Sequence, residues 1–132
     1  MAQYIYPAVF TPEENGLYSV NFPDLQSCYT SGNNLKDAIK MAEDILAYVL
    51  YDYEKDGLEI PTPSEMKEIA LSKDEFVNYI VCDTIGYQKR FNNKSVKKTI
   101  TVPMWLNELA LKNDLNFSQT LQEALLKKLN IK

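Results

Sequence analysis

The chain has 132 residues, 45% hydrophobic and 24% charged, a globular balance that excludes a disordered polymer and leaves room for one domain or two small ones. It contains no histidine, the commonest general base and metal ligand, so enzymatic chemistry would have to rest on carboxylates. The net charge of −4 hides a division: residues 1–96 carry 8 basic and 15 acidic side chains, whereas residues 97–132 carry 6 basic and 3 acidic. That asymmetry points to a cationic partner for the first part and to nucleic acid for the second.

The opening MAQYIYPAVF has no basic n-region, and no stretch reaches the roughly 18–20 apolar residues of a membrane span. A soluble, cytoplasmic protein with no membrane partner is expected. Cys28 and Cys82 have neither metal-ligand spacing nor a secreted disulfide pattern, so both are expected as core thiols in a reducing compartment, with no metal and no cofactor.

Tyr4–Thr11 and Leu17–Phe22 are β-rich runs joined through Asn15-Gly16, which supplies the positive φ angles of a hairpin turn. Pro7 cannot donate a ladder hydrogen bond, which predicts an edge or a bulge at that point. Ser27–Ser31 reads as a third strand ending at Gly32. Asn34 then suits a helix N-cap, with Asp37 favourably placed in the first turn. Apolar residues from Leu35 to Tyr53 recur at helical spacing for about five turns, and Gly57 ends the helix. A stripe of that length must cover a sheet face. IPTPS, residues 60–64, is extended by its prolines. Phe76–Cys82 reads as a strand buried on both faces, Thr84–Phe91 as a short helix and residues 92–95 as a polar linker.

In KKTITV, residues 97–102, the period of two turns Ile100 and Val102 inward and Lys97, Thr99 and Thr101 to the opposite face. Pro103 suits the first helical position. Trp105, Leu106 and Leu109 give the following helix an apolar face, Asn113-Asp114 breaks it, and Asn116 with Gln119 suggests a capping box for a second helix carrying Leu121, Ala124, Leu125 and Leu129. A strand and two helices in 36 residues cannot bury a core alone. The unit is therefore expected to dimerise, its strand pairing with its twin in an antiparallel ribbon over four helices, with Ile100, Val102, Trp105, Leu106, Leu109, Leu121 and Leu125 in the interface. Such a ribbon fits the DNA major groove, where Thr99 and Thr101 reach base edges or thymine methyls and Lys97 a guanine or a phosphate. Asn116 and Ser118, opening the second helix, are candidates for a phosphate contact, with capping as the other role of Asn116.

This arrangement resembles the ribbon-helix-helix repressors. The whole chain is similar to the HicB-family antitoxins of HicA/HicB toxin-antitoxin pairs, through FPDLQSCYTSGNNLKDAIKMAEDIL, IPTPS and VKKTITVPMWLNELALKNDLNFSQTLQEALLKKL in the family order. The resemblance implies an α+β fold: a partial ribonuclease H-like domain (βββαβ) in residues 1–91, a linker at 92–96 and a dimeric ribbon-helix-helix domain in residues 97–132. It further implies a non-enzymatic antitoxin that occludes a basic, RNA-cleaving HicA-type toxin and represses its own operon on double-stranded operator DNA, as a homodimer that forms a heterotetramer with two toxins. The acidic run Asp52, Glu54, Asp56 and Glu59 is the candidate toxin contact; a solvated helix end would look the same.

Two other functions are open to such a chain. A surviving ribonuclease H-like nuclease would need a carboxylate cluster, yet YIYPAVF carries no aspartate and Asp24, Glu43, Asp44 and Asp83 are scattered over turn, helix and strand end. A ligand-sensing repressor without a toxin could line a pocket with some of its nine tyrosines, although strand propensity alone explains Tyr4, Tyr6, Tyr18 and Tyr29.

Overall fold

The computed structural model describes residues 3–131, which fall into two compact units divided between Lys94 and Ser95. The first unit contains β1 (Gln3–Pro12), β2 (Tyr18–Asn21), β3 (Tyr29–Gly32), α1 (Leu35–Lys55), β4 (Phe76–Asp83) and α2 (Thr84–Phe91). All strand pairs are antiparallel, in the order β3-β2-β1-β4. The element order β-β-β-α-β follows the sequence reading.

The hairpin depends on two left-handed residues, Asn15 at φ 63° and Gly16 at φ 78°. They sit in a short 3-10 turn, Glu14–Gly16, within a connection longer than the two-residue turn that Asn-Gly can form alone. The third strand starts at Tyr29, two residues later than expected, because Ser27 has a φ of 56° that a strand cannot absorb.

Pro7 is tolerated for a reason of register. β1 is an interior strand, but its ladder with β2 covers only Val9 to Pro12, whereas its ladder with β4 runs from Gln3 to Phe10. Opposite Pro7 stands Tyr79, whose N–H turns outward and donates to the Asn78 side chain at 3.0 Å. The pair is thus not hydrogen-bonded across the ladder, and the proline nitrogen faces the side on which β2 has already ended.

α1 begins on Asn34, whose side chain accepts from the Asp37 N–H at 2.8 Å, while the Asp37 carboxylate accepts from the Asn33 N–H at 2.9 Å. It ends at Lys55, with Gly57 at φ 66° and the Leu58 N–H returning to the Tyr53 carbonyl at 2.9 Å. Its buried face, Ala38, Ala42, Leu46, Ala47 and Leu50, packs with Tyr6, Phe10, Val20, Phe22 and Ile80 of the sheet and its loops. The small residues in the first turns let the helix come close to β3: a Cβ built on Gly32 would lie 2.3 Å from the Ala38 nitrogen.

β4 corrects the expectation of a doubly buried strand. Ile80 and Cys82 are buried in the core beneath α1, but Tyr79 and Val81 on the opposite face are exposed, as is Phe76 at the start of the strand, where it stacks on Phe10. The irregular stretch before it is held by side chains: the Tyr6 hydroxyl donates to the Pro61 carbonyl, and the Asp24 carboxylate accepts from the Ser64 N–H at 2.9 Å and from its hydroxyl.

Both cysteines are free and buried, and burial pushes each thiol up to about 12. The thiolate is the reactive form. Neither thiol of the native chain is therefore expected to react with a disulfide reagent at mildly alkaline pH, and both are expected to react once guanidinium unfolds it; native-state labelling of either would place it at the surface.

The second unit contains α3 (Met104–Lys112) and α4 (Phe117–Lys128). Pro103 stands at the N-cap of α3 rather than inside its first turn. The capping box is half formed: the Gln119 N–H donates to the Asn116 side chain at 3.0 Å, but the Gln119 side chain donates onward to Glu123. Residues 93–103 are neither helix nor strand in the single chain, where a ladder for residues 97–102 would need a second strand.

Candidate nucleic-acid and partner interface

The chain leaves the apolar face of its second unit open. Trp105 is 64% exposed, and Ile100, Val102, Leu106, Leu109 and Leu125 are exposed with it; Leu121 is half-buried, and among the described residues of this unit Ala110 is the sole buried apolar side chain. Each large apolar side chain left in water forgoes about 1.5–3 kcal/mol of burial. Within two short helices joined by one turn there is no further surface on which to recover it.

Lys97, Thr99 and Thr101 are all exposed on the irregular segment that leads into α3. Asn116 and Ser118 are exposed at the start of α4, but both side chains are engaged locally: Asn116 caps the helix, and the Ser118 hydroxyl accepts from Gln122 at 3.2 Å. Capping is thus an observed role of Asn116.

The acidic run on the first unit divides. Glu54 turns inward, where its carboxylate accepts from the Tyr4 hydroxyl at 2.7 Å and from the buried Thr84 hydroxyl at 3.2 Å. Burial, then this bonded carboxylate, raises the Tyr4 phenol above its ordinary value. Glu54 therefore ties the end of α1 to β1 and α2. Asp52 lies 3.8 Å from Lys55, and Asp56 and Glu59 are exposed beyond the helix end. The inward turn of Glu54 was illegible in the sequence, because its partners lie 50 and 30 residues away.

Three of the four carboxylates considered for a nuclease have other tasks, and the fourth, Glu43, is exposed on α1. Asp24 holds Ser64, Asp44 pairs with Arg90 at 2.9 Å, and Asp83 caps α2 by accepting from the Ile85 N–H at 2.9 Å. Among the described residues no three histidine, cysteine, aspartate or glutamate side chains are grouped to hold a metal ion. Of the four strand tyrosines, Tyr6 is buried, Tyr4 and Tyr18 pack against the core, and Tyr29 borders a shallow groove of about 440 Å³. A larger groove, about 840 Å³, lies between α1, β4 and α2 and is bordered by Lys40, Asp44, Ala47, Val81, Tyr87 and Arg90. The aromatic residues on α1 and α2 beside it were missed by sequence reasoning, although Tyr48 and Tyr51 fall off the apolar stripe of α1. No helix among the described residues is long and apolar enough to cross a membrane.

The chain thus joins an acidic sheet-and-helix unit to a helix pair whose apolar face is open and which follows a basic segment. The chain belongs to the family of HicB-like antitoxins of bacterial toxin-antitoxin systems, whose family model matches residues 6–125. It is 40% identical over 63 residues to antitoxin HicB 2 of Photorhabdus laumondii, which covers 48% of this chain and 45% of the relative. It is 33% identical over 72 residues to antitoxin HicB of Escherichia coli K12, covering 54% of this chain and 49% of that one. The chain thus spans about half the length of these curated relatives. Among solved structures, a chain of a toxin-antitoxin complex from Streptococcus pneumoniae superposes with a TM-score of 0.63 at 26% identity, covering 96% of this chain and 99% of that one. The Burkholderia pseudomallei antitoxin HicB shares the fold, with a TM-score of 0.54 at 17% identity and 96% of each chain covered.

Proposed function

We propose that the chain is an antitoxin: residues 1–94 bind and occlude a small RNA-cleaving HicA-type toxin, and residues 95–132 form a ribbon-helix-helix dimer that binds operator DNA and represses its own operon. The observation that carries this reading is the open apolar face of α3 and α4 directly behind the basic segment at Lys97. Two such units, paired two-fold, would bury Ile100, Val102, Trp105, Leu106, Leu109, Leu121 and Leu125 and give residues 97–102 the strand they lack. Lys97, Thr99 and Thr101 of both subunits then face the major groove. The first unit, read as a partial ribonuclease H-like fold without enzymatic activity, uses its excess of 15 acidic over 8 basic side chains in residues 1–96 to attract a basic toxin. Charge of this kind sets association rate and register more than final affinity. One dimer with two toxins makes a heterotetramer in the cytoplasm.

The test is Thr99→Ala with Thr101→Ala. Each lost base contact costs about 1–3 kcal/mol, so operator affinity is expected to fall by at least about tenfold and sequence preference to blur, while toxin neutralisation stays intact. Gel shifts with operator and scrambled DNA, beside a growth-rescue assay, read both effects. Unchanged operator preference, or loss of neutralisation instead, would contradict this division of labour.

A further inference from the structure

We infer that an aromatic ridge on α1 and α2, formed by Tyr48, Tyr51, Tyr87 and Phe91, is the contact surface for a small basic protein; this rests on the antitoxin reading and names the face that meets the toxin.

The ridge is built by helical spacing on two packed helices: Tyr48 and Tyr51 are three apart on α1, Tyr87 and Phe91 four apart on α2. Tyr87 is the hub, its ring centroid 6.2 Å from that of Tyr48, 6.0 Å from that of Tyr51 and 4.8 Å from that of Phe91. Only Tyr87 of the four packs against the core; Phe91 is 64% exposed and Tyr48 47%. Strand propensity, which accounts for the tyrosines of the sheet, says nothing about these helical ones. The ridge is also pre-ordered. The Arg90 guanidinium lies 5.0 Å from the Phe91 ring and bonds Asp44 at 2.9 Å, the Lys55 ammonium lies 5.9 Å from the Tyr51 ring, and the Asn92 amide donates to the Tyr51 hydroxyl at 3.2 Å. Exposed tyrosine and arginine held in place and rimmed by charge match the composition of protein-binding hot spots.

Charge selects the partner. Asp44 and Asp52 beside the rings are matched by Arg90 and Lys55, so the excess negative charge is that of the exposed Asp56 and Glu59 past the end of α1. A platform for single-stranded RNA would need a basic groove beneath stacking rings, and a second copy would bring like charges together. A basic protein surface satisfies both the rings and their rim.

The experiment is calorimetric titration of the full chain with catalytically inactive HicA-type toxin. Tyr48→Ala and Phe91→Ala are each expected to weaken binding by about 30-fold or more, with melting temperature and operator binding unchanged. Tyr48→Phe, which keeps the ring, should bind within about threefold of the parent. Should an alanine variant melt early, Tyr48→Lys, at an exposed position and repulsive to a cationic partner, must still lose toxin while staying folded. Wild-type affinity in all these variants would overturn the ridge assignment while leaving the antitoxin reading standing; failure of the parent chain to bind toxin would overturn both. Loss of self-association or of RNA binding, with toxin binding untouched, would also overturn the assignment by giving the ridge to a second copy or to RNA.

Discussion

A chain ending at Lys94 is expected to be a folded monomer that keeps its toxin affinity and loses operator DNA. The buried hydrophobic cluster lies wholly between Tyr6 and Cys82, so removing residues 95–132 takes nothing from it. What is removed is the open face of α3 and α4 and the Lys97–Thr101 segment. Operator affinity should fall by at least about a thousandfold, the lower end of the gap between specific and non-specific binding. Sedimentation and gel shifts read the two losses, and calorimetry reads the retained toxin affinity. A dimeric truncation would place a second interface in the first unit, and retained operator binding would place DNA recognition there too.

Gly32→Ala is expected to be the most damaging single substitution in the first unit. The new Cβ would lie 2.3 Å from the nitrogen and 2.4 Å from the Cα of Ala38, both backbone atoms that no rotamer change can move aside. Either β3 or the first turn of α1 must retreat, and with it the contacts of Ala38 and Ala42. Overpacking of a tight core typically costs about 1–3 kcal/mol, and a clash with backbone belongs at or above the upper end. Denaturant unfolding should show a lower midpoint at unchanged slope. Gly57→Ala provides the contrast: nothing lies within 4 Å of its added Cβ, so only the left-handed φ of 66° is penalised, at about 1–2 kcal/mol. Equal losses at both positions would mean that β3 and α1 do not approach so closely.

Local chemistry was legible wherever neighbours in the chain decide the outcome. The Asn15-Gly16 turn, the Asn34 cap, the Gly57 stop and the long apolar stripe of α1 each follow from residues within one or two turns of one another, where hydrogen-bond geometry and side-chain spacing act without help. So did the poverty of residues 97–132 in material for a core, because burial capacity scales with length and apolar count. Errors came where partners are distant. FVNYIVC is apolar apart from Asn78 and reads as doubly buried, but which of its faces is covered depends on what packs against the sheet, which composition does not encode. One error was local: the sequence suggests that Gln119 completes a capping box, but Glu123 one turn further on competes for its amide.

The candidate sites divide along the same line. Two units of opposite charge, with a basic segment ahead of an amphipathic helix pair, could be read from the sequence alone, since charge and periodicity are sums over neighbouring residues. Tertiary structure alone decided that Glu54 belongs to the fold through Tyr4 and Thr84, that Pro7 faces the unpaired side of β1, and that Tyr48, Tyr51, Tyr87 and Phe91 converge from two helices. Each of these turns on which distant segments meet and in what register, which is settled by the packing of the whole chain rather than by local propensity.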